Sequence, residues 1–575
     1  MIGFSTLQKL ALRSVSSVAL VAAFAPLAAS AAEVTYDRLL NADREPQNWL
    51  THHRTYDGQR YSPLTAITKE NVKNLRLAYA IPLGGTRGNE YLESTPLVDN
   101  GFLYATDSLG WVYKVDVSNG EYGRIVWHMD PSQQNLSANR GVALAGNLVI
   151  SVANGPARAV ATNTDTGEVV WEVNVQDQQP ISSTSAPLLV KDRVVIGSGG
   201  GDSGARGWLQ LLTAKDGKLA WKKFTVPAPG EPGSETWKDD HNAWQTGGGA
   251  TWYTGTHDPE TNTLVWGVGQ PAPDLDPTYR PGDNLFTNSA IALDVDTGKM
   301  NWYFQYTPND RWDFDAVHTQ MLIDTTIAGE RRRIVAHAGR NGFYYVLDRN
   351  NGQFLHAGAY LENINWTKGI DPKTGKPLDY DPRGGVQTYA GVASPTAQEP
   401  LKIVCPGISG GNNFFPASYS PRSKLSYIPA LRGCQSTKID FTMHTREKGF
   451  RGGDWAVTER NESDLVAVDP TTGQVKARRA FPWPNYSGAL ATAGGVVFTG
   501  TMDGTFRAVD ENTLEELWRI NLGVGFTAPP ISYAVNGKQY VLISSGLSGP
   551  AKGKLVKTPE MAEQRNATVM WVFSL

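Results

Sequence analysis

Cysteine is almost missing from these 575 residues: there are two, Cys405 and Cys434. No Cys-x-x-Cys-His run occurs, so nothing on the chain attaches a haem covalently. Basic runs are missing too, and the formal net charge is −3, which excludes a nucleic-acid surface. Long hydrophobic runs are missing except at the start. There Lys9 and Arg13 precede an apolar core from Val15 to Leu27, and Ala29-Ser30-Ala31 supplies a small-x-small cleavage pattern. That core is too short to span a bilayer well. Residues 1–31 therefore read as a secretory signal. Residues 32–575 are left as a mature domain without a membrane span, exported to a bacterial periplasm. In an oxidising compartment a lone cysteine pair forms one disulfide. Joining Cys405 to Cys434 closes a loop of roughly 30 residues and contributes about 3 kcal/mol at most through loop entropy.

Turn formers and aromatics are plentiful, with 59 Gly, 34 Pro, 17 Trp and 22 Tyr. That composition favours many short strands joined by turns. The chain also repeats itself. ALDVDTGKMNW (292–302) and AVDENTLEELW (508–518) share a strand, an Asp, a turn, and a Trp eight residues after the Asp. ATNTDTGEVVW (161–171), LTAKDGKLAW (212–221) and KVDVSNGEYGRIVW (114–127) vary that form. VLDRNNGQFLH (346–356) and AVDPTTGQVKA (467–477) keep the turn and lose the Trp. Asp/Asn-rich turns ending in Gly reverse a strand, and a Trp packs flat between sheets. Spacings of about 40 to 55 residues suit one four-stranded blade per copy. The interval from Asp348 to Asp469 is too wide for one blade. It is expected to hold another around SYSPRSKLSYIPA (418–430), beside the disulfide loop. The expected fold is all-β, an eight-bladed β-propeller whose chain ends share one sheet.

One short stretch poses a chemical question. RWDFDAV (311–317) places Asp313 and Asp315 two residues apart. In an extended segment both carboxylates face one spot and repel. Something cationic is needed between them.

The tryptophan-bearing repeats resemble the quinoprotein alcohol dehydrogenases that use pyrroloquinoline quinone (PQQ). The likeness runs from RYSPLTAI (60–67) to VMWVFSL (569–575). It includes ANRGVAL (138–144), GGGATWYTGTHDPETN (247–262), RPGDNLF (280–286), HAGRNGFYYVLDRNNG (337–352) and LATAGGVVFTGTMDG (490–504). The family fold is an eight-bladed propeller with PQQ near its axis. The resemblance implies that Arg140 pairs with a PQQ carboxylate, Thr184 donates to the cofactor and Glu93 bonds its rim. Gly200 and Gly201 let backbone approach it, Trp252 forms the floor for its ring, and Asn413 makes a polar contact. Arg340 then stands beside the reactive carbonyl, and Asp313 is the base that takes the alcohol proton. The metal ligands implied are Asp202, Gln270, Asp313 and Asp315. Asp315 resembles the lanthanide-dependent branch, and a salt-bridged Asp315 beside calcium is the alternative.

Several positions depart from the family pattern. Asp202 stands for a glutamate and Gln270 for an asparagine. Gln134 and Asn135 replace a vicinal cysteine pair, and Tyr486 replaces a lid tryptophan. SSGLSGPAKGKL (544–555) lacks the tryptophan of a further loop. Fewer bulky caps imply a more open funnel and a larger or secondary alcohol. With no haem on the chain, a separate cytochrome c is the implied electron acceptor, and a homodimer is compatible with the resemblance. The alternative chemistry is a PQQ sugar or polyol dehydrogenase. The alternative class is a non-enzymatic scaffold like the related propellers of outer-membrane protein assembly, against which the polar residues at cofactor spacing argue.

Overall fold

A computed structural model describes residues 33–84, 91–178, 180–389, 403–458, 460–547, 561, 564 and 566–575. The signal-sequence expectation for 1–31 lies outside the described residues. Among the described residues the strands form eight blade sheets: seven have four strands and one has five. Seven blades follow in order at 97–129, 143–174, 188–224, 256–305, 321–359, 418–481 and 489–521. The eighth is built from both chain ends. Arg76–Gly84 lies outermost, beside Thr568–Ser574, then Lys538–Ser545 and Ile531–Val535. No helix among the described residues is long and apolar enough to cross a membrane.

The expectation of eight blades holds, but the wide interval before Asp469 contains no blade of its own. Ser418–Ser420 and Leu425–Leu431 are the inner strands of the blade whose outer strands are Ser463–Asp469 and Gln474–Phe481. The intervening residues carry Cys434, disulfide-bonded to Cys405, and a separate two-stranded ribbon, Gln435–Ile439 with Gly453–Val457. The eighth blade is the one formed by the chain ends, which carries no copy of the repeat.

Burial explains the strand sequences. Inner strands such as Leu148–Ala153 (LVISVA) are buried throughout, whereas the outermost Val169–Asn174 (VVWEVN) is mostly exposed. β-Branched residues fill a layer covered on both faces by neighbouring blades.

The repeat turns weld one blade to the next. The Asp294 carboxylate accepts from the N–H groups of Asp296 (3.1 Å) and Thr297 (2.9 Å), closing the turn locally. A register shift just before the Trp, as between Ala292 and Leu293, re-aims the outer strand. Four of the repeat indoles donate their N–H to a carbonyl in the next blade's turn: Trp127 to Thr164 (3.0 Å), Trp171 to Ala214 (3.0 Å), Trp221 to Val295 (2.9 Å) and Trp302 to Arg349 (3.1 Å). The indole lies so close that a Cβ on Gly298 would sit 2.8 Å from Trp221, so the turn needs glycine for space as well as for its φ of 68°. Where the repeat lacks Trp, His356 makes the same bond, its Nε2 lying 3.1 Å from the Pro470 carbonyl. The ring closes where Tyr540 donates to the Gly120 carbonyl (2.8 Å) and Asn536 to that of Ser118 (3.1 Å).

Candidate functional site

Strand direction sorts the loops into two sets. Neighbouring strands in a blade run antiparallel, so the chain entering the innermost strand and the hairpin between strands two and three share one end. The hairpin between strands three and four, with its Asp-Gly turn, lies at the other. Glu93, Arg140, Thr184, Trp252, Asp313, Asp315 and Asn413 all precede innermost strands. Asp202, Gln270 and Arg340 all sit in hairpins between strands two and three. Every residue singled out from the sequence is therefore at the same end of the ring, opposite the docking turns.

Trp252 is the hub of that end. Its indole Nε1 donates to Asp315 Oδ2 (3.0 Å). Its backbone carbonyl accepts from Arg140 Nη1 (3.1 Å) and from the Thr184 hydroxyl (3.3 Å). The Arg140 guanidinium lies over the indole face at 4.6 Å and makes a buried ion pair with Glu93 (2.8 Å). Arg140 also donates to Thr184 Oγ1 (3.0 Å). Glu93, Arg140, Thr184 and Trp252 thus form one connected group.

The acidic group is joined to Trp252 through its indole N–H. Asp313 has a left-handed φ of 62°, so the extended geometry expected for RWDFDAV is not what unites its carboxylates. Arg340 unites them, 3.1 Å from Asp313 Oδ1 and 2.9 Å from Asp315 Oδ2. Asp315 Oδ1 accepts from the Gln270 backbone N–H (2.8 Å), and a Cβ on Gly269 would meet that oxygen at 2.4 Å. Gln270 Nε2 donates to Asp202 Oδ1 (2.6 Å) and to Asp274 Oδ1 (3.3 Å). Asp202 also pairs with Arg451 (2.8 Å). Burial drives the Asp313 carboxyl well above the usual carboxylate range; Arg340 pulls against this, and Asp315, Asp202 and Asp274 add to it. Burial and then the Asp202 charge push Asp274 up as well. Asp315 rises to about 6, from burial opposed by Arg340.

Asp202, Gln270, Asp313 and Asp315 are thus brought together. Gly201 and Asp202 share one short turn, and Gly200, with a φ of 90°, starts it. A Cβ on Gly201 would lie 3.6 Å from Gln270 Nε2, whereas one on Gly200 would strike the Pro180 carbonyl at 2.2 Å, away from the cluster. Asn413 is turned back on its own loop, donating to the Ser409 carbonyl (3.2 Å) and accepting from Phe414 N–H (2.8 Å). Its neighbour Phe414 faces the site instead, with Arg140 5.5 Å from its ring. Tyr486 is 1 % exposed and packs on Phe414 and Phe415. Residues 548–555 of the expected open loop lie outside the described residues. Two charged residues escaped the sequence reading. Asp274 had a signal, four residues beyond Gln270 in the same loop. Arg451 had none, because it arrives on the two-stranded ribbon inserted after Cys434.

The chemistry of this group can be tested for fit to a cation and an acidic ring. Among the described residues no three carboxylate, imidazole or thiolate groups already converge as a metal cage, because Arg340 and the Gln270 amide stand between the acids. Yet the four carboxylates outnumber the three guanidinium groups that act on them, Arg340, Arg451 and, at Asp274, Arg280. Gln270 Oε1 is buried with no hydrogen-bond partner, and Asp313 Oδ1 makes no well-formed one. The Nε atoms of Arg140 and Arg340 are buried donors without acceptors. Spare acceptors and uncompensated negative charge fit a hard cation. Spare guanidinium donors beside an indole fit a flat polyanion. A cavity of about 1000 Å³ lined by Asp57, His257, Asp324 and Tyr419 belongs to the docking-turn end and contains none of these residues.

Comparison with known proteins bears on the fold and the family. The family described as "Glucose/ethanol/alcohol dehydrogenase, beta-propeller domain" (PQQ) matches residues 49–357 and 465–541. The chain is similar to the quinoprotein alcohol dehydrogenase PedH of Pseudomonas putida, 33 % identical over 98 % of this chain and 97 % of that one. The quinoprotein ethanol dehydrogenase of Pseudomonas putida is 32 % identical over 98 % and 96 %. Among solved structures, the quinohemoprotein alcohol dehydrogenase ADHIIG of Pseudomonas putida HK5 superposes with a TM-score of 0.86 at 32 % identity, covering 95 % of this chain and 83 % of that one. A europium-containing methanol dehydrogenase superposes with a TM-score of 0.82 at 28 % identity, covering 94 % and 100 %.

Proposed function

The chain belongs to the PQQ-dependent alcohol dehydrogenase family, and from that premise we propose that the Trp252 end of the ring is a metal–quinone centre oxidising an alcohol to an aldehyde or ketone. The observation that carries this is the pairing of spare guanidinium donors and unpartnered acceptor oxygens around one indole. When bound, PQQ supplies a two-electron acceptor and the metal a Lewis acid. Trp252 is the floor for the ring. Arg140, Thr184 and Glu93 hold one edge of it and Gly201 lines the approach, with Gly200 shaping the turn that places Gly201; Asn413 would reach the ring only by leaving the Ser409 carbonyl. Asp202, Gln270, Asp313 and Asp315 hold the ion, either calcium or a lanthanide. Arg340, fixed by both aspartates, directs positive charge at the reacting end. An Asp313 carboxylate oxygen takes the hydroxyl proton of the alcohol. Arg340, 3.1 Å from Asp313 Oδ1, holds that carboxylate in place for the transfer.

The surrounding assignments follow from the same reading. The N-terminal sequence and the Cys405–Cys434 disulfide support export to the periplasm through residues 1–31. A separate cytochrome c takes the electrons, and the propeller acts as a monomer or homodimer. Tyr486 in place of a larger ring supports a secondary or bulky alcohol as substrate. The test is dye reduction by the full chain after adding PQQ with calcium or with a light lanthanide. A panel of primary alcohols, secondary alcohols and sugars sets the substrate class. Turnover of secondary or bulky alcohols is expected. Fast methanol turnover with no activity on bulky alcohols overturns the substrate assignment, and no quinone spectrum at all overturns the function.

A further inference from the structure

Asp274 is an unusual place for a carboxylate. It is 1 % exposed, and a buried acid is costly unless something pairs with it. Its backbone is held on both sides. The buried Arg280 donates to the carbonyls of Pro273 (2.9 Å) and Asp274 (3.0 Å), and Leu275 N–H bonds the Arg451 carbonyl (3.0 Å). Ala272 N–H bonds the Gly247 carbonyl (3.0 Å). The loop cannot easily swing this side chain to solvent. Its one hydrogen-bonded partner is Gln270 Nε2, which it shares with Asp202. That leaves Gln270 Oε1, on a residue with no exposed surface, buried beside two acids without a partner. Rotation of the amide would exchange the donor for the acceptor, giving a cation between Asp202 and Asp274 a third oxygen.

We propose that Asp274 is an added carboxylate of the metal site, sharing Gln270 with Asp202, and that its charge biases the site toward a trivalent ion. This rests on the metal-centre reading above. A carboxylate near a cation adds attraction in proportion to the ion's charge, so a trivalent ion gains more than a divalent one. Arg451, on the far oxygen of Asp202, opposes it.

The test is calorimetric titration of the full chain, saturated with PQQ, with lanthanum(III) and separately with calcium(II). The isosteric Asp274→Asn keeps an oxygen able to accept from Gln270 and removes only charge, so a purely structural role leaves affinity unchanged. Lanthanum affinity is expected to fall at least about tenfold, and calcium affinity by less. Arg451→Gln, which removes the opposing charge, is expected to tighten lanthanum binding. Asp274→Asn affinities within twofold of the parent, or equal losses for both ions, overturn the inference while the metal centre stands. If the parent chain itself binds neither ion, the metal-centre reading falls and this inference falls with it.

Discussion

At one end of each repeat blade the turn between the third and fourth strands closes on its own Asp or Asn, as at Asp294 and Asn163. In five of the seven it then receives an indole or imidazole N–H from the blade before, as at Val295 and Pro470. At the other end the same strands are joined by loops bearing Asp202, Gln270, Asp313 and Arg340, where buried oxygens and guanidinium nitrogens lack partners. The first end is repeated; the second is unique in each blade and gathers buried carboxylate, amide and guanidinium atoms without partners in one cluster. Buried polar groups are normally hydrogen-bonded, and this cluster is the place where the proposed metal and quinone would complete the structure. On the proposed function, stability and chemistry are separated onto opposite faces of one scaffold.

That separation can be broken by substitution. Asp313→Asn is expected to have the largest effect, lowering turnover about 10²–10⁴-fold, the usual contribution of a general base. Quinone uptake and melting temperature should stay near the parent values; a large loss of stability would mean the acidic end also holds the fold. Trp221→Ala, at the docking end, should cost about 3 kcal/mol in denaturant unfolding and leave kcat per folded molecule unchanged. Arg140→Lys removes the planar fork and should weaken PQQ binding about tenfold, read by fluorescence quenching, with little change in unfolding. His356→Trp restores the repeat's indole and should shift stability by under about 1 kcal/mol, upward. A clear loss there would show that the imidazole does more than stand in for indole.

The contrast also explains what the sequence could disclose. The docking end was legible because seven copies share the turn and five of them the Trp, so that His356 could be seen as a lapse in a pattern. That the chain ends share one sheet was foreseen; that this sheet is the blade without a repeat was not, because Arg76–Gly84 and Ile531–Ser574 pair across the whole chain without a repeat turn. A long insertion within one blade looked like room for another. At the site, motifs identified Asp313, Arg340 and Trp252, yet their arrangement depended on a left-handed Asp313 that no alternation rule supplies. Arg451 reaches Asp202 from 249 positions away on an inserted ribbon, a contact only tertiary folding creates. Asn413 shows the reverse: its position fits the family, while its side chain bonds its own loop.

Anomalous diffraction from crystals of the full chain grown with PQQ and lanthanum or calcium tests the central claim most directly. An ion peak bounded by Asp202, Gln270, Asp313 and Asp315, with a flat ring stacked on Trp252, is the predicted result. An ion-free cluster, with Gln270 still donating to Asp202 and the indole face bare in the presence of both ligands, would contradict it.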